Sequence, residues 1–245
     1  MKHRFFIDGT DITGSEIVLT GKNATHASVL RLLPGEEIVI CDDASIDYSC
    51  VVVSCDKLET KAKILSKTPN IAEPTVVITL FQALPKASKM DDIIEKCTQL
   101  GVSHIVPVIT ARCVAKTSDR GTKKTERWQK IAHSAASQSQ RGCIPQINNV
   151  MTFEAALQQA KTHCVSFACY EDEKRFTLKS LLQGLAQNLS SIAFFIGSEG
   201  GFTDSEVAKF KESDVPTVSL GSRILRTELA GAVALANILY ELDSV

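Results

Sequence analysis

The chain has 245 residues, of which 44% are hydrophobic and 22% are charged, and its formal net charge is −1. This composition is ordinary for a globular protein, and the length suffices for one large domain or for one small and one medium domain. No stretch reaches the roughly 18 apolar residues that a membrane helix needs, and the first four residues are not followed by the apolar region of a signal peptide. We therefore expect neither a membrane helix nor a signal peptide.

The eight cysteines form no CxxC pair and have no zinc-ligand spacing, so the sequence predicts no metal site. They are expected to be small buried hydrophobic residues in a reducing, cytoplasmic environment. Most of them lie in strand-like stretches: Cys50, Cys55, Cys164 and Cys169.

The first part of the chain consists of short strand-like stretches separated by turn residues, which is typical of a small β-barrel. The predicted strands are residues 4–7, 16–19, 37–41, 49–54 and 60–65, and one short helix is predicted over residues 26–32. Residues 67–74 contain two prolines and no periodicity, so we expect the linker between two domains there.

From Thr75 onwards, predicted strands alternate with predicted helices, which indicates an α/β fold with a mostly parallel, helix-covered sheet. The predicted strands are residues 76–81, 102–108, 164–169, 192–196 and 217–220. The predicted helices are residues 89–100, which Ser88 caps and Gly101 ends, and residues 125–138, 153–160, 178–188 and 228–240.

Positive charge is concentrated between Arg112 and Arg141, where eight basic and two acidic residues give a local charge of +6. The basic residues are Arg112, Lys116, Arg120, Lys123, Lys124, Arg127, Lys130 and Arg141. A one-signed segment of this length favours contact with nucleic-acid phosphates, although a solvated surface would have the same pattern.

Two glycine-containing loops each follow a predicted strand near the C-terminus. The first has the sequence IGSEGGFT over residues 196–203, and the second has LGSRILRTE over residues 220–228. Glycines at strand ends let a ligand approach the backbone, and ligands of α/β sheets bind outside the carboxyl ends of strands. The first loop is neither a P-loop nor a dinucleotide fingerprint, and a tight turn is the alternative interpretation. Thr203 and Glu206 have the spacing of a helix capping box.

Both loops resemble those of SPOUT methyltransferases, and within them the ribosomal RNA small subunit methyltransferase E family, which methylates N3 of a uridine. The resemblance extends over essentially the whole chain, including residues 81–86 and 95–102. Three positions depart from the family pattern: Ser198 replaces a proline, Leu229 replaces a threonine, and Ser137 stands where the family commonly has glutamate.

The resemblance implies a PUA-like, RNA-binding β-barrel over residues 1–70 and a SPOUT domain with a deep C-terminal trefoil knot over residues 73–245. It also implies S-adenosylmethionine as cofactor and a homodimer whose active site lies near the subunit interface. The implied substrate is a specific uridine in the decoding region of 16S ribosomal RNA, within the assembled small subunit.

The candidate site residues follow from these loops and charges. The expected cofactor-binding residues are Leu84, Pro85, Ile196, Gly197, Ser198, Gly200, Gly201, Leu220, Gly221, Ile224 and Leu225. Backbone groups are expected to provide most of this binding. For the side chains of Leu220, Ile224 and Leu225, packing in the hydrophobic core is the alternative interpretation. The candidate RNA-binding residues are Arg4, His26, Arg31, Arg112, Lys123, Lys124 and Arg141. His26 has helix capping or packing as its alternative.

Arg226 is the leading catalytic candidate, because a cation beside the pyrimidine would stabilise the uridine anion that forms when the N3 proton leaves. An ion pair with Glu228 is the alternative for this residue. Glu199 is the second candidate, either orienting the substrate or accepting the proton, although a carboxylate is also favoured near a helix start. Two further functions remain open: ribose 2′-O methylation of RNA, and a non-catalytic role in ribosome assembly.

Overall fold

The computed structural model describes residues 2–8, 12–113, 121–185 and 189–242. Its chain divides into two compact units. The N-terminal unit comprises residues 1–73 and 136–143, and the C-terminal unit comprises residues 74–135 and 144–245. Among the described residues, no helix combines the length and the apolar character that crossing a membrane requires.

The N-terminal unit is built on one six-stranded sheet. Its strands are β1 His3–Phe6, β2 Ile12–Thr13, β3 Glu16–Thr20, β4 Glu37–Cys41, β5 Ile46–Cys55 and β6 Glu59–Pro69, in the order β1-β4-β5-β6-β3-β2. Only the β1–β4 pairing is parallel. Alternate residues such as Ile17, Leu19, Ile38 and Ile40 are buried, as expected for a sheet with one covered face.

Two predicted boundaries in this unit are wrong. Helix α1 spans Gly21–Val29 rather than residues 26–32, and Arg31 has a left-handed φ of 57°, which is incompatible with continuing the helix. Strand β6 continues to Pro69, which pairs with Ile46 of β5, so the first three residues of the predicted linker belong to the sheet.

The C-terminal unit alternates strands and helices, as predicted. Its strands are β7 Val77–Ala83, β8 His104–Ile109, β9 Gln146–Ile147, β10 Met151–Thr152, β11 Val165–Cys169, β12 Ser191–Ile196 and β13 Thr217–Val218. Its helices are α2 Lys89–Leu100, α3 Gly121–Gln138, α4 Phe153–Ala160, α5 Leu178–Gln183, α6 Asp204–Glu212 and α7 Thr227–Glu241, with the last residues of α3 counted in the N-terminal unit. Helix α5 is shorter than predicted and ends at Gly184, while residues 186–188 lie outside the described part of the chain.

All pairings in this second sheet are parallel, in the order β10-β8-β7-β12-β11-β13 with β9 beside β8. Helices cover both faces, which explains why β12 is apolar throughout: Phe194 packs into one hydrophobic cluster and Phe195 into the other. Because the strands are parallel, the loops after β11, β12 and β13 leave the same edge of the sheet. This edge carries the site described below.

The cysteines only partly follow the prediction. Cys41, Cys50, Cys97 and Cys169 are buried, but Cys164 is exposed just before β11. Hydrogen bonds from Ser190 and Ser191 lower the pKa of the Cys164 thiol to about 7. No group of three or more potential metal ligands occurs within the described residues.

Candidate active site

A cavity of about 520 Å³ lies at the carboxyl edge of the parallel sheet. Its walls are the loops that follow β11, β12 and β13, together with the first turn of α7. This volume lies within the range of roughly 300–1,000 Å³ that is usual for small-molecule sites.

The first glycine loop, residues 197–201, depends on the absence of side chains. A Cβ atom on Gly197 would lie 3.0 Å from Gly201 Cα, and one on Gly201 would lie 2.0 Å from Glu171 Oε1. Gly201 also has a φ of +67°, which favours glycine. The predicted capping box follows, since Thr203 N–H donates to Glu206 Oε2 at 2.8 Å and Glu206 N–H donates to Thr203 Oγ1 at 3.3 Å. The loop is thereby fixed against helix α6.

The second glycine loop, residues 220–226, presents its backbone to open space. Gly221 has a φ of +118° and no atom lies within 4 Å of the position of an added Cβ. Ile224 is 85% exposed, so the core-packing alternative for this side chain is wrong, whereas Leu220 and Leu225 pack partly against the hydrophobic core. All three side chains line the cavity.

A buried polar tether joins the first glycine loop to helix α7, and we define it by Gln82, Gly197 and Thr227. Thr227 Oγ1 donates to the Gly197 carbonyl at 2.7 Å and accepts from Gln82 Nε2 at 3.0 Å. The sequence analysis did not single out Gln82 or Thr227. Gln82 could have been recognised from the sequence, since its amide lies within a largely apolar strand. A polar group buried there requires hydrogen-bond partners.

Charged contacts surround Glu199 on the first glycine loop. Its carboxylate accepts from Lys86 N–H at 3.1 Å and lies 3.0 Å from Lys89 Nζ. Partial burial raises the pKa of Glu199, but the Lys89 hydrogen bond and the backbone N–H groups outweigh it, so the pKa lies below its ordinary value. Glu199 is therefore a weak proton acceptor, and its geometry suits an orienting role better.

Arg226 is the N-cap residue of α7, is exposed and lines the cavity. The ion pair with Glu228 that the sequence allowed does not form, because Glu228 lies 3.4 Å from Lys89 Nζ instead. Within the described residues, no carboxylate lies within ion-pair distance of Arg226. Its guanidinium is available to a substrate.

Two predicted cofactor-binding residues lie elsewhere. Leu84 and Pro85 are buried and are absent from the cavity lining. Leu84 packs into the core, and its N–H donates to the Val108 carbonyl at 2.9 Å. The remaining predicted cofactor-binding residues, Ile196 to Ser198, Gly200, Gly201, Leu220, Gly221, Ile224 and Leu225, all line the cavity.

The third wall of the cavity was missed by sequence reasoning. Cys169, Tyr170, Glu171 and Lys174 line it from the end of β11. These residues carry no glycine motif, and only the strand order, which places β11 between β12 and β13, brings them to the site.

Two predicted RNA-binding residues are buried, which contradicts that assignment. Arg4 pairs with Asp47 and its side chain is 1% exposed. Arg141 pairs with Glu73 through Nε at 2.8 Å and Nη2 at 2.7 Å, and its side chain is 2% exposed. A guanidinium that is buried against a carboxylate cannot reach a phosphate of RNA.

The other predicted RNA-binding residues are at the surface. His26, Arg31, Arg112, Lys123 and Lys124 are exposed. His26 also packs its ring edge-on against Phe5, and Arg112 donates from Nη1 to the Gly200 carbonyl. Lys116 and Arg120 of the basic segment lie outside the described residues.

Comparisons with known proteins found a matching family model and similar relatives. The family model described as RNA methyltransferase domain matches residues 72–239. The Ribosomal RNA small subunit methyltransferase E of Bacillus subtilis is 33% identical over 98% of this chain and 97% of its own length.

Two solved structures have the same fold over nearly the whole chain. Ribosomal RNA small subunit methyltransferase E of Neisseria gonorrhoeae, bound to S-adenosylmethionine, superposes with a TM-score of 0.86 at 29% identity, covering 98% of each chain. A methyltransferase of Legionella pneumophila, in complex with the same cofactor, also has a TM-score of 0.86, at 26% identity and 98% coverage of each chain.

Proposed function

The chain belongs to the RNA methyltransferase family that includes the ribosomal RNA small subunit methyltransferase E proteins, and from this premise we propose that it methylates 16S ribosomal RNA at N3 of a specific uridine. The observation that carries the proposal is the free guanidinium of Arg226 beside a cavity that the two glycine loops line. A cation at this place suits a reaction in which a neutral base must become an anion.

S-adenosylmethionine is the cofactor we assign to the cavity, where it supplies the methyl group. The chain's own geometry fits such a molecule, because Gly221 leaves open space in front of its backbone and the exposed Ile224 offers an apolar surface. Residues 196–201 and 220–225 would hold it, mainly through backbone groups. Two similar proteins have been solved with this cofactor bound.

Arg226 and Glu199 have different roles in the proposed reaction. The uracil N3–H is weakly acidic and gives its proton to solvent water in the proposed reaction. Arg226 lowers the free energy of the resulting uridine anion, which then takes up the methyl group. Glu199 stays ionised because its pKa lies below the ordinary value, and we assign it to orienting the base rather than to accepting the proton.

For the fold, we propose that residues 1–70 form a PUA-like, RNA-binding barrel and that residues 73–245 form a SPOUT domain whose C-terminal third is a trefoil knot. The six-stranded N-terminal sheet and the resemblance of the two glycine loops support this assignment. Exposed His26, Arg31, Arg112, Lys123 and Lys124 are the proposed contacts to RNA phosphates, in the assembled small subunit and hence in the cytoplasm.

We also propose a homodimer that uses helix α7. Leu229 and Tyr240 are 46% and 77% exposed, and with Ala236 between them they form an apolar stripe at helical spacing. An exposed apolar stripe favours burial against a second copy of the chain.

Nucleoside analysis of ribosomal RNA from a deletion strain tests the proposed function. We expect 3-methyluridine to disappear from 16S RNA and to return when the wild-type gene is supplied. Loss of a 2′-O-methylated nucleoside instead would identify ribose methylation. An unchanged set of methylated nucleosides, together with no binding of S-adenosylmethionine in calorimetry, would identify a non-catalytic protein.

A further inference from the structure

Lys89 is the first residue of helix α2 and lines the cavity. Its Nζ lies 3.0 Å from Glu199 Oε1 on the first glycine loop and 3.4 Å from Glu228 Oε2 in the first turn of α7. The hydrogen bond to Glu199 raises the pKa of Lys89, so the ammonium stays charged across the physiological range. One cation therefore joins three segments that are far apart in the sequence.

The two carboxylates depend on this cation. The side chains of Glu199 and Glu228 are 24% and 17% exposed, so solvent compensates their charges only in part. Glu228 Oε2 is buried and makes no hydrogen bond in the described part of the chain, which leaves Lys89 as the positive group beside it. Without the ammonium, two neighbouring carboxylates would repel each other across the wall of the cavity.

Arg226 lies two residues before Glu228, at the junction of the second glycine loop and α7. A shift of the first turn of α7 would thus move the guanidinium that faces the substrate. The same shift would separate the Arg226 guanidinium from the first glycine loop. Glu199 anchors that loop to Lys89 and to the backbone of Lys86.

We propose that Lys89 is a positioning residue for methyl transfer. By pairing with both Glu199 and Glu228, it holds the first glycine loop and the α7 first turn in the arrangement that aims Arg226 at the uridine. This inference rests on the proposed function. It adds a residue on α2 to a site that is otherwise built from the first turn of α7 and the loops at the ends of β11, β12 and β13.

The test compares Lys89→Gln with Lys89→Arg and uses Lys96→Gln as the matched control. Lys96 lies on the same helix, and among the described residues it pairs with Asp92 alone, at 3.3 Å on the exposed surface. We expect Lys89→Gln to lower kcat for RNA methylation about 10- to 100-fold, the size of effect that follows from misplacing a reacting group. Its Kd for S-adenosylmethionine should change far less, because the Gln82–Thr227 tether still fixes Gly197.

Rescue distinguishes positioning from direct contact. Lys89→Arg keeps a cation that reaches both carboxylates and should restore most of kcat. The double variant Lys89→Gln with Glu228→Gln removes the repulsion and should recover part of kcat relative to Lys89→Gln alone. Circular dichroism and the unfolding midpoint show whether each variant is folded. The kcat values of the variants are then compared per folded molecule.

Three results would overturn the inference while leaving the proposed function intact. The first is a kcat for Lys89→Gln equal to that of Lys96→Gln. The second is an equal loss in kcat and in cofactor affinity, which would make Lys89 a cofactor ligand. The third is a double variant that is no more active than Lys89→Gln. If the wild-type protein transfers no methyl group, the proposed function falls, and this inference falls with it.

Discussion

At the scale of single residues, some charged groups of the site are already paired and others are free. Lys89 is shared between two carboxylates, whereas Arg226 is exposed at the cavity without an acidic partner in the described part of the chain. Pairing lowers the free energy of an ion before substrate arrives, so an unpaired cation retains more of its interaction energy for the reaction. This contrast supports the catalytic role that we propose for Arg226.

Arg226→Ala is expected to lower kcat about 100- to 1,000-fold, the usual cost of removing one charge-stabilising group. Its affinity for S-adenosylmethionine should change little, because we propose that backbone groups of the two glycine loops hold the cofactor. Steady-state kinetics on small subunits and calorimetry on the free protein measure the two quantities. Arg175→Ala, which removes an exposed arginine outside the cavity, is the control. Near wild-type turnover in Arg226→Ala would remove the catalytic assignment.

At the scale of secondary-structure elements, buried polar contacts determine how the loops and helices meet. Thr227→Val removes the hydroxyl between Gln82 Nε2 and the Gly197 carbonyl while keeping the side-chain shape. Leaving buried partners unsatisfied costs about 1–3 kcal/mol, so we expect the free energy of unfolding to fall by that amount. Cofactor affinity should fall as well, because the first glycine loop loses a tether.

Urea unfolding and calorimetry check the Thr227→Val prediction. Thr162→Val is the control, since its hydroxyl donates to Gln159 on an exposed surface. Equal effects of the two substitutions on unfolding and on cofactor affinity would show that the tether contributes no more than an exposed hydrogen bond.

A largely buried ion pair joins Glu73, in the segment that follows β6, to Arg141, in the segment that follows α3. Glu73 accepts from Arg141 and also from the N–H of Gly142, at 2.7 Å. Burial alone would raise the pKa of Glu73, but the Arg141 hydrogen bond and charge outweigh it, so the folded pKa lies below the ordinary value of 4.5. The stabilisation is therefore fully present above the unfolded pKa and is lost as the pH falls through the folded pKa.

Glu73→Gln is expected to lower the free energy of unfolding by about 3 kcal/mol at pH 7, because it leaves a buried guanidinium without its counter-charge. The difference from wild type should shrink as the pH falls below about 4. Urea unfolding at both pH values measures it. Glu154→Gln, which breaks an exposed pair with Lys209, should cost less than about 1 kcal/mol. A Glu73→Gln difference that does not change with pH would contradict the linkage.

At the scale of the whole molecule, the chain contains a basic segment although its net charge is only −1. Part of this segment is exposed on α3. Lys123→Ala combined with Lys124→Ala should weaken RNA binding at low salt. Each lost phosphate contact should flatten the log–log salt dependence by roughly 0.7 to 0.9. The same double change should leave binding of S-adenosylmethionine unchanged, because neither lysine lines the cavity.

The salt dependence of RNA affinity is measured for this variant and for Lys179→Ala with Lys211→Ala, which removes two exposed lysines from α5 and α6. An unchanged slope in the Lys123 and Lys124 variant would move the docking surface elsewhere, for instance to the N-terminal unit around His26 and Arg31.

The sequence by itself determined the elements and loops that depend on local residue patterns. Periodicity identified an α/β unit after residue 74, a φ-permissive glycine ended α2 at Gly101, and Thr203 with Glu206 started α6. The two glycine loops were recognisable because they need particular residues at fixed spacing. Most of the cavity lining followed from those loops, since parallel strands bring their carboxyl ends to one edge.

The tertiary structure alone decided which charges are free and which are paired. Arg141 belongs to a basic stretch in the sequence, yet it is buried against Glu73, 68 residues away. Lys89 meets Glu199 and Glu228, and Glu171 reaches Gly201, only because strand order places their loops side by side. The strength of an ion pair or hydrogen bond depends on distance and burial in space, and a linear pattern of residue types specifies neither.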